Sequence, residues 1–110
     1  MKQLKNLPQN SPFSLCDLIS FKPGQVISMT LSNQKEIQII LFSFPAGEGI
    51  GEEFYPGDTW YFVLEGSMIL DCGGTKQYVK SGECMAIPGG NIHSIHSLSD
   101  FKMLQITFLP

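Results

Sequence analysis

The chain has 110 residues, of which 43% are hydrophobic and only 15% charged. That is enough apolar material to core one domain spanning residues 1–110 and excludes a disordered tail, but it leaves no room for a second domain. The formal charge is −3 and the cationic residues are scattered, so the basic stripe that a phosphate backbone requires is missing and nucleic acid is excluded as a partner.

In chain order, residues 1–22 form a loosely patterned N-terminal extension. Met1 to Asn10 carries lysines but no apolar run behind them, so it is not read as a signal peptide. The segment Leu15 to Ile19 is compatible with one helical turn. After the Pro23-Gly24 turn the sequence settles into short β-type segments. These are Val26–Leu31, Ile37–Phe44, Trp60–Leu64, Met68–Cys72, Lys76–Val79, Cys84–Ile87, Ile92–Leu98 and Lys102–Phe108. Gly73-Gly74 is predicted to close a tight hairpin, because glycine accepts positive φ without steric cost. No stretch shows apolar residues at helical spacing over a helical length, and none approaches the roughly 18 apolar residues of a membrane span. Short strands punctuated by glycine and proline predict an all-β sandwich or barrel.

Several of these strands are apolar on both faces. Ile37, Ile39 and Leu41 oppose Ile40, Phe42 and Phe44, while Trp60, Phe62 and Leu64 oppose Tyr61 and Val63. One face can fill a barrel. The other is covered either by further sheet and loops or by a second copy in a homodimer, which would also help so small a domain bury surface. Cys16, Cys72 and Cys84 are an odd set without Cys-x-x-Cys spacing. They argue against a disulfide framework or zinc knuckle, and fit a reducing, cytoplasmic setting. With no histidine nearby in sequence, Cys72 and Cys84 are read as buried small hydrophobes. No phosphate-binding glycine loop and no Gly-x-Ser-x-Gly elbow is present.

Two segments carry a resemblance. Gly47 to Gly66 reads GEGIGEEFYPGDTWYFVLEG, and Gly82 to Ser97 reads GECMAIPGGNIHSIHS. They resemble the two motifs of the cupin superfamily, G(X)5HXH(X)3-4E(X)6G and G(X)5PXG(X)2H(X)3N. Gly47, Gly66, Gly82, Pro88, Gly90 and His93 match in register, and the fifteen residues between the motifs match the connection of small bacterial cupins. The resemblance implies a jelly-roll barrel of the cupin type. It also implies an interior site, but the family's metal ligands are mostly replaced. Its two first-motif histidines fall on Glu53 and Tyr55, its glutamate on Thr59 and its terminal asparagine on Ser97; only His93 is retained.

Glu53, Tyr55, Thr59, Tyr61 and His93 are therefore the expected ligand pocket, with Glu53 and Tyr55 on one face of a strand by their period-two spacing. Such a cluster suits orienting a small polar molecule by a few hydrogen bonds. Alternatively, Glu53, Tyr55 and His93 hold a divalent transition metal (Zn, Ni, Mn or Fe) in a metal-dependent dioxygenase, isomerase or lyase. A Glu53–His93 hydrogen bond without metal is a further reading. Odd separation places His96 opposite His93 and Glu52 opposite Glu53, although a frame slip at Gly51–Glu53 would exchange the two glutamates. Trp60, Phe54 and the other aromatics are read as core before stacking platforms. Asp58 and Glu65 are read as turn chemistry.

Overall fold

The computed structural model describes Met1–Pro110. Nine strands make two antiparallel sheets: β1 (Ile27–Asn33), β2 (Ile37–Phe44), β3 (Gly49–Glu53), β4 (Thr59–Glu65), β5 (Ser67–Cys72), β6 (Thr75–Lys80), β7 (Cys84–Ile87), β8 (His93–His96) and β9 (Phe101–Phe108). The five-stranded sheet runs β1-β2-β9-β4-β7 and the four-stranded sheet β3-β8-β5-β6. This is the jelly-roll arrangement expected. The only helical piece is a 3-10 turn at Leu15–Leu18. No helix is long and apolar enough to cross a membrane.

The strand missing from the sequence reading is β3. Its Gly-Ile-Gly-Glu-Glu has no alternating apolar pattern, and it is extended because β8 offers it a ladder. Other boundaries shift by no more than two residues, and β8 is the shorter His93–His96 core of the expected Ile92–Leu98. The Gly73-Gly74 hairpin forms as expected, with φ of 62° and 81°.

The inner face of the larger sheet is graded. Phe44, Phe101, Val63 and Met103 fill one end and are essentially inaccessible; toward the other end the same rows present Tyr61, Gln105, Thr59 and Thr107. Met68, Leu70, Val79 and Ile95 close the core from the smaller sheet. Polar side chains therefore collect at one mouth of the barrel.

The second apolar face is covered in part by the chain's own N-terminal extension. Ile19, with Leu7, Leu15 and Leu18, packs on Leu31 and Leu41. The Ser43 hydroxyl donates to the Ser20 carbonyl at 2.9 Å and Asn6 Nδ2 to the Thr30 carbonyl at 2.8 Å. Lys102 reaches through from the same face. Its ammonium donates to the Cys16 carbonyl at 2.8 Å, lies 3.7 Å from Glu65 and sits 4.9 Å from the centre of the Phe21 ring. The rest of that face stays open: Trp60 is 41% and Phe108 47% exposed, and Ile106 lies between Trp60 and Ile39 in the ladder. Trp60 packs against Phe62 in a tilted pair, with ring centroids 4.4 Å apart, rather than joining the core, and Phe54 is exposed.

Candidate functional site

Three strands and a loop bring the site together. Glu53 closes β3 and pairs with His93 of β8, which in turn pairs with Cys72 of β5. Ile50 and Glu53 have opposite parity, yet Ile50 packs on the core and Glu53 faces the site. A bulge between them, at Gly51-Glu52, resolves this. It absorbs one residue and turns Glu53 inward, leaving Glu52 exposed. Tyr55 is not on the strand with Glu53, as its spacing suggested. It lies in the loop beyond β3, which folds its phenol back over the carboxylate.

Two hydrogen-bonded groups result. In the first, the Tyr55 hydroxyl donates to Glu53 Oε2 at 2.7 Å and accepts from Gln105 Nε2 at 3.3 Å; that amide also donates to Thr107 Oγ1 at 3.1 Å. In the second, Tyr61 Oη and His93 Nε2 are 2.7 Å apart, and His93 Nδ1 lies 3.0 Å from the Asn91 carbonyl oxygen. The expected Glu53–His93 hydrogen bond is not formed, because Tyr61 occupies the imidazole. Thr59 is buried beside them with no partner for Oγ1, and Gln105 Oε1 is likewise unpartnered.

Gln105 and Thr107 escaped the sequence reading. In Phe101–Phe108 the apolar set Leu104, Ile106 and Phe108 faces outward, so a pattern reading assigns the polar alternates to solvent. The usable signal was that Gln105 and Thr107 share the parity of the apolar Phe101 and Met103. His96 is on the opposite face from His93, as periodicity requires. Cys72 is partly buried against the core with His93 as its ladder neighbour, a contact the sequence separation hid. Cys84 is exposed, not buried, because it faces outward on the edge strand β7.

The donor set does not fit a divalent metal. No three His, Cys, Asp or Glu side chains converge. Both ring nitrogens of His93 already have partners, and Glu53 already accepts a phenol proton. Tyr55 would ligate as phenolate, but burial, aided by the Glu53 hydrogen bond and charge, pushes its pKa up to about 12, against a smaller opposing pull from Gln105. Burial raises Tyr61 as well, with the charges of Tyr55 and Glu53 adding to it.

These shifts have a consequence for stability. The unfolded phenol ionises at its ordinary value of 10.0, whereas folded Tyr55 keeps its proton to about 12. Its contribution is thus complete below pH 10 and is lost as pH rises through about 12. Urea unfolding at successive alkaline pH values is expected to show falling stability that flattens in Tyr55→Phe and in Tyr61→Phe. An unaltered slope in both variants would refute the assignment.

The cluster reaches solvent through Glu53 and half-buried Tyr55. Through His93 it borders a cavity of about 320 Å³ whose other walls include Glu52, Asp71 and Ser94. Of the expected ligand pocket only His93 lines a cavity; Glu53, Tyr55, Thr59 and Tyr61 line none.

Residues 40–107 match the cupin domain family, and the chain belongs to it. It is 41% identical to a cupin superfamily protein from Desulfitobacterium hafniense, with 98% of this chain and 99% of that one covered and a TM-score of 0.95. A conserved protein of unknown function from Streptococcus pyogenes is 24% identical over 100% and 96% of the two chains, also with a TM-score of 0.95. A predicted oxalate decarboxylase from Thermotoga maritima shares the fold at 21% identity, 79% and 83% coverage and a TM-score of 0.73. No curated protein matches the chain.

Proposed function

We propose that the protein is a cytoplasmic cupin that binds a small polar molecule at the Glu53–Tyr55–Gln105 chain, with no tightly held metal, and that it acts as a homodimer. The observation supporting the binding role is the pair of orphaned polar atoms, Thr59 Oγ1 and Gln105 Oε1. Buried polar atoms are nearly always hydrogen-bonded, and each one left unpaired costs about 1–3 kcal/mol. Both lie toward the polar mouth of the barrel, and a polar molecule that displaces half-buried Tyr55 would satisfy them. The test is mass spectrometry of small molecules released on denaturing the purified protein, with elemental analysis of the same sample. A stoichiometric organic compound is expected. Stoichiometric transition metal with sub-micromolar affinity would overturn the reading.

The homodimer reading is supported by the open apolar strip of Trp60, Phe62, Ile106 and Phe108 on the outer face. Trp60→Lys with Phe108→Lys is expected to halve the mass seen by sedimentation equilibrium while leaving the circular dichroism spectrum intact. A monomeric parent protein would end the proposal.

A further inference from the structure

Tyr55 stands between the interior polar groups and solvent. Its hydroxyl reaches in to Gln105, which is 4% exposed, while the residue itself is only half-buried. No cavity opens on Glu53, Thr59 or Gln105. The position in front of Glu53 Oε2 and Gln105 Nε2 is taken by the phenol oxygen, 2.7 and 3.3 Å from them. Any room there is the volume of the Tyr55 side chain.

Backbone and ring are held differently. The loop between β3 and β4 is tied down. The Gly90 amide donates to the Tyr55 carbonyl at 2.8 Å, the Gly89 amide to Asp58 Oδ1 at 2.8 Å and the Phe108 amide to the Asp58 carbonyl at 2.9 Å. A Cβ on Gly57 would overlap the Phe108 carbonyl oxygen, and one on Gly89 that of Pro56. The phenol has no such anchorage. Its polar holds are the two hydrogen bonds of its hydroxyl, the His93 ring beside it is 6.1 Å away between centroids, and it joins neither buried apolar cluster. The movement open to Tyr55 is rotation of its side chain about χ1, with the loop left in place.

The phenol is also an incomplete partner, because Gln105 Oε1 and Thr59 Oγ1 stay unpaired beneath it. Its own bonds define what can replace it. One oxygen donates to Glu53 and accepts from Gln105. A carboxylate has no proton to give and sets a second negative charge against Glu53; an ammonium has no electron pair for the Gln105 amide. A hydroxyl does both, and a flat ring behind it fills the remaining volume. We infer that Tyr55 is a built-in plug, and that a neutral aromatic ligand carrying a ring hydroxyl takes its place when the side chain swings out. This rests on the interior-binding reading above and adds the ligand's class and the contact that excludes it.

The experiment is nuclear magnetic resonance of the full ¹³C,¹⁵N-labelled chain, as wild type and as Tyr55→Ala, with the Gln105 side-chain amide as reporter. The probes are p-cresol, which is the tyrosine side chain itself, and toluene, which lacks the hydroxyl. In Tyr55→Ala, p-cresol is expected to shift the reporter saturably and to bind at least about tenfold more tightly than toluene, as one buried hydrogen bond predicts. Wild type is expected to show the same shift with an affinity about 10- to 100-fold lower, because only a minor open form, about 1–10% of molecules, is competent. Tyr55→Ser replaces Tyr55→Ala if the latter does not fold, and a wild type without a saturable shift overturns the inference whichever variant folds. Equal affinity of wild type and variant for p-cresol overturns the plug, and equal affinity of the variant for the two probes overturns the hydroxyl requirement; either result leaves interior binding standing. A folded variant that ignores both probes overturns the inference, and the interior-binding reading falls with it only if denatured wild type releases no organic compound.

Discussion

Phe101→Ala is expected to cost about 4 kcal/mol of folding stability, the range for deleting a fully buried phenyl group. Phe101 is wholly inaccessible, and its ring lies parallel to that of Phe44, with centroids 4.5 Å apart and planes 3° from coplanar. Removing it takes away both its transfer free energy and the stacked surface of Phe44. The surrounding strands cannot close the gap, because β9 is laddered on both edges, to β2 and β4. Small domains have roughly 5–15 kcal/mol in total, so much of the margin would disappear. Urea unfolding measures this directly. A loss below about 1 kcal/mol would mean that the apolar end of the barrel collapses freely, contrary to the packing of rigid laddered strands.

Gly66→Ala is expected to cost about 3 kcal/mol, and Gly82→Ala only about 1. Both residues have left-handed backbone, with φ of 75° and 86°. They differ in surroundings. A Cβ on Gly66, in the β4–β5 turn, would overlap the carbonyl oxygen of Asp100 and crowd Phe101, whereas one on Gly82 would meet open space. The second variant thus isolates conformational strain and the first adds collision with backbone that cannot swing away. Equal losses in the two, compared in one denaturation series, would show that the contact with Asp100 relaxes.

The same glycines explain how much of the fold was legible. Gly47, Gly66, Gly82 and Gly90, the four glycines among the matching motif positions, all have positive φ. A backbone requirement of that kind selects one residue type and leaves a mark in sequence. Alternation likewise separated His93 from His96 and placed Thr59 and Tyr61 on one face. What sequence could not supply was partnership. The bulge in β3 depends on its register against β8, and Tyr55 reaches Glu53 from a loop whose path no period describes. Gln105 was hidden because the outward row Leu104, Ile106 and Phe108 is apolar as well, so the polar-out rule by which strands are usually read points the wrong way. The second apolar face was visible, but its pattern did not show that residues of the N-terminal extension cover part of it.

The position of β9 has a kinetic corollary. It is the central strand of its sheet but the last in chain order, with β1–β2 on one side and β4–β7 on the other. Those two flanking hairpin-like units share no ladder with each other, so neither can dock until residues 101–108 arrive between them. Assembly therefore waits on contacts far apart along the chain, a topology associated with slow, strongly cooperative folding. Until that insertion the aromatic rows of both units lack a sheet partner, so incompletely folded chains expose apolar surface that the finished barrel covers.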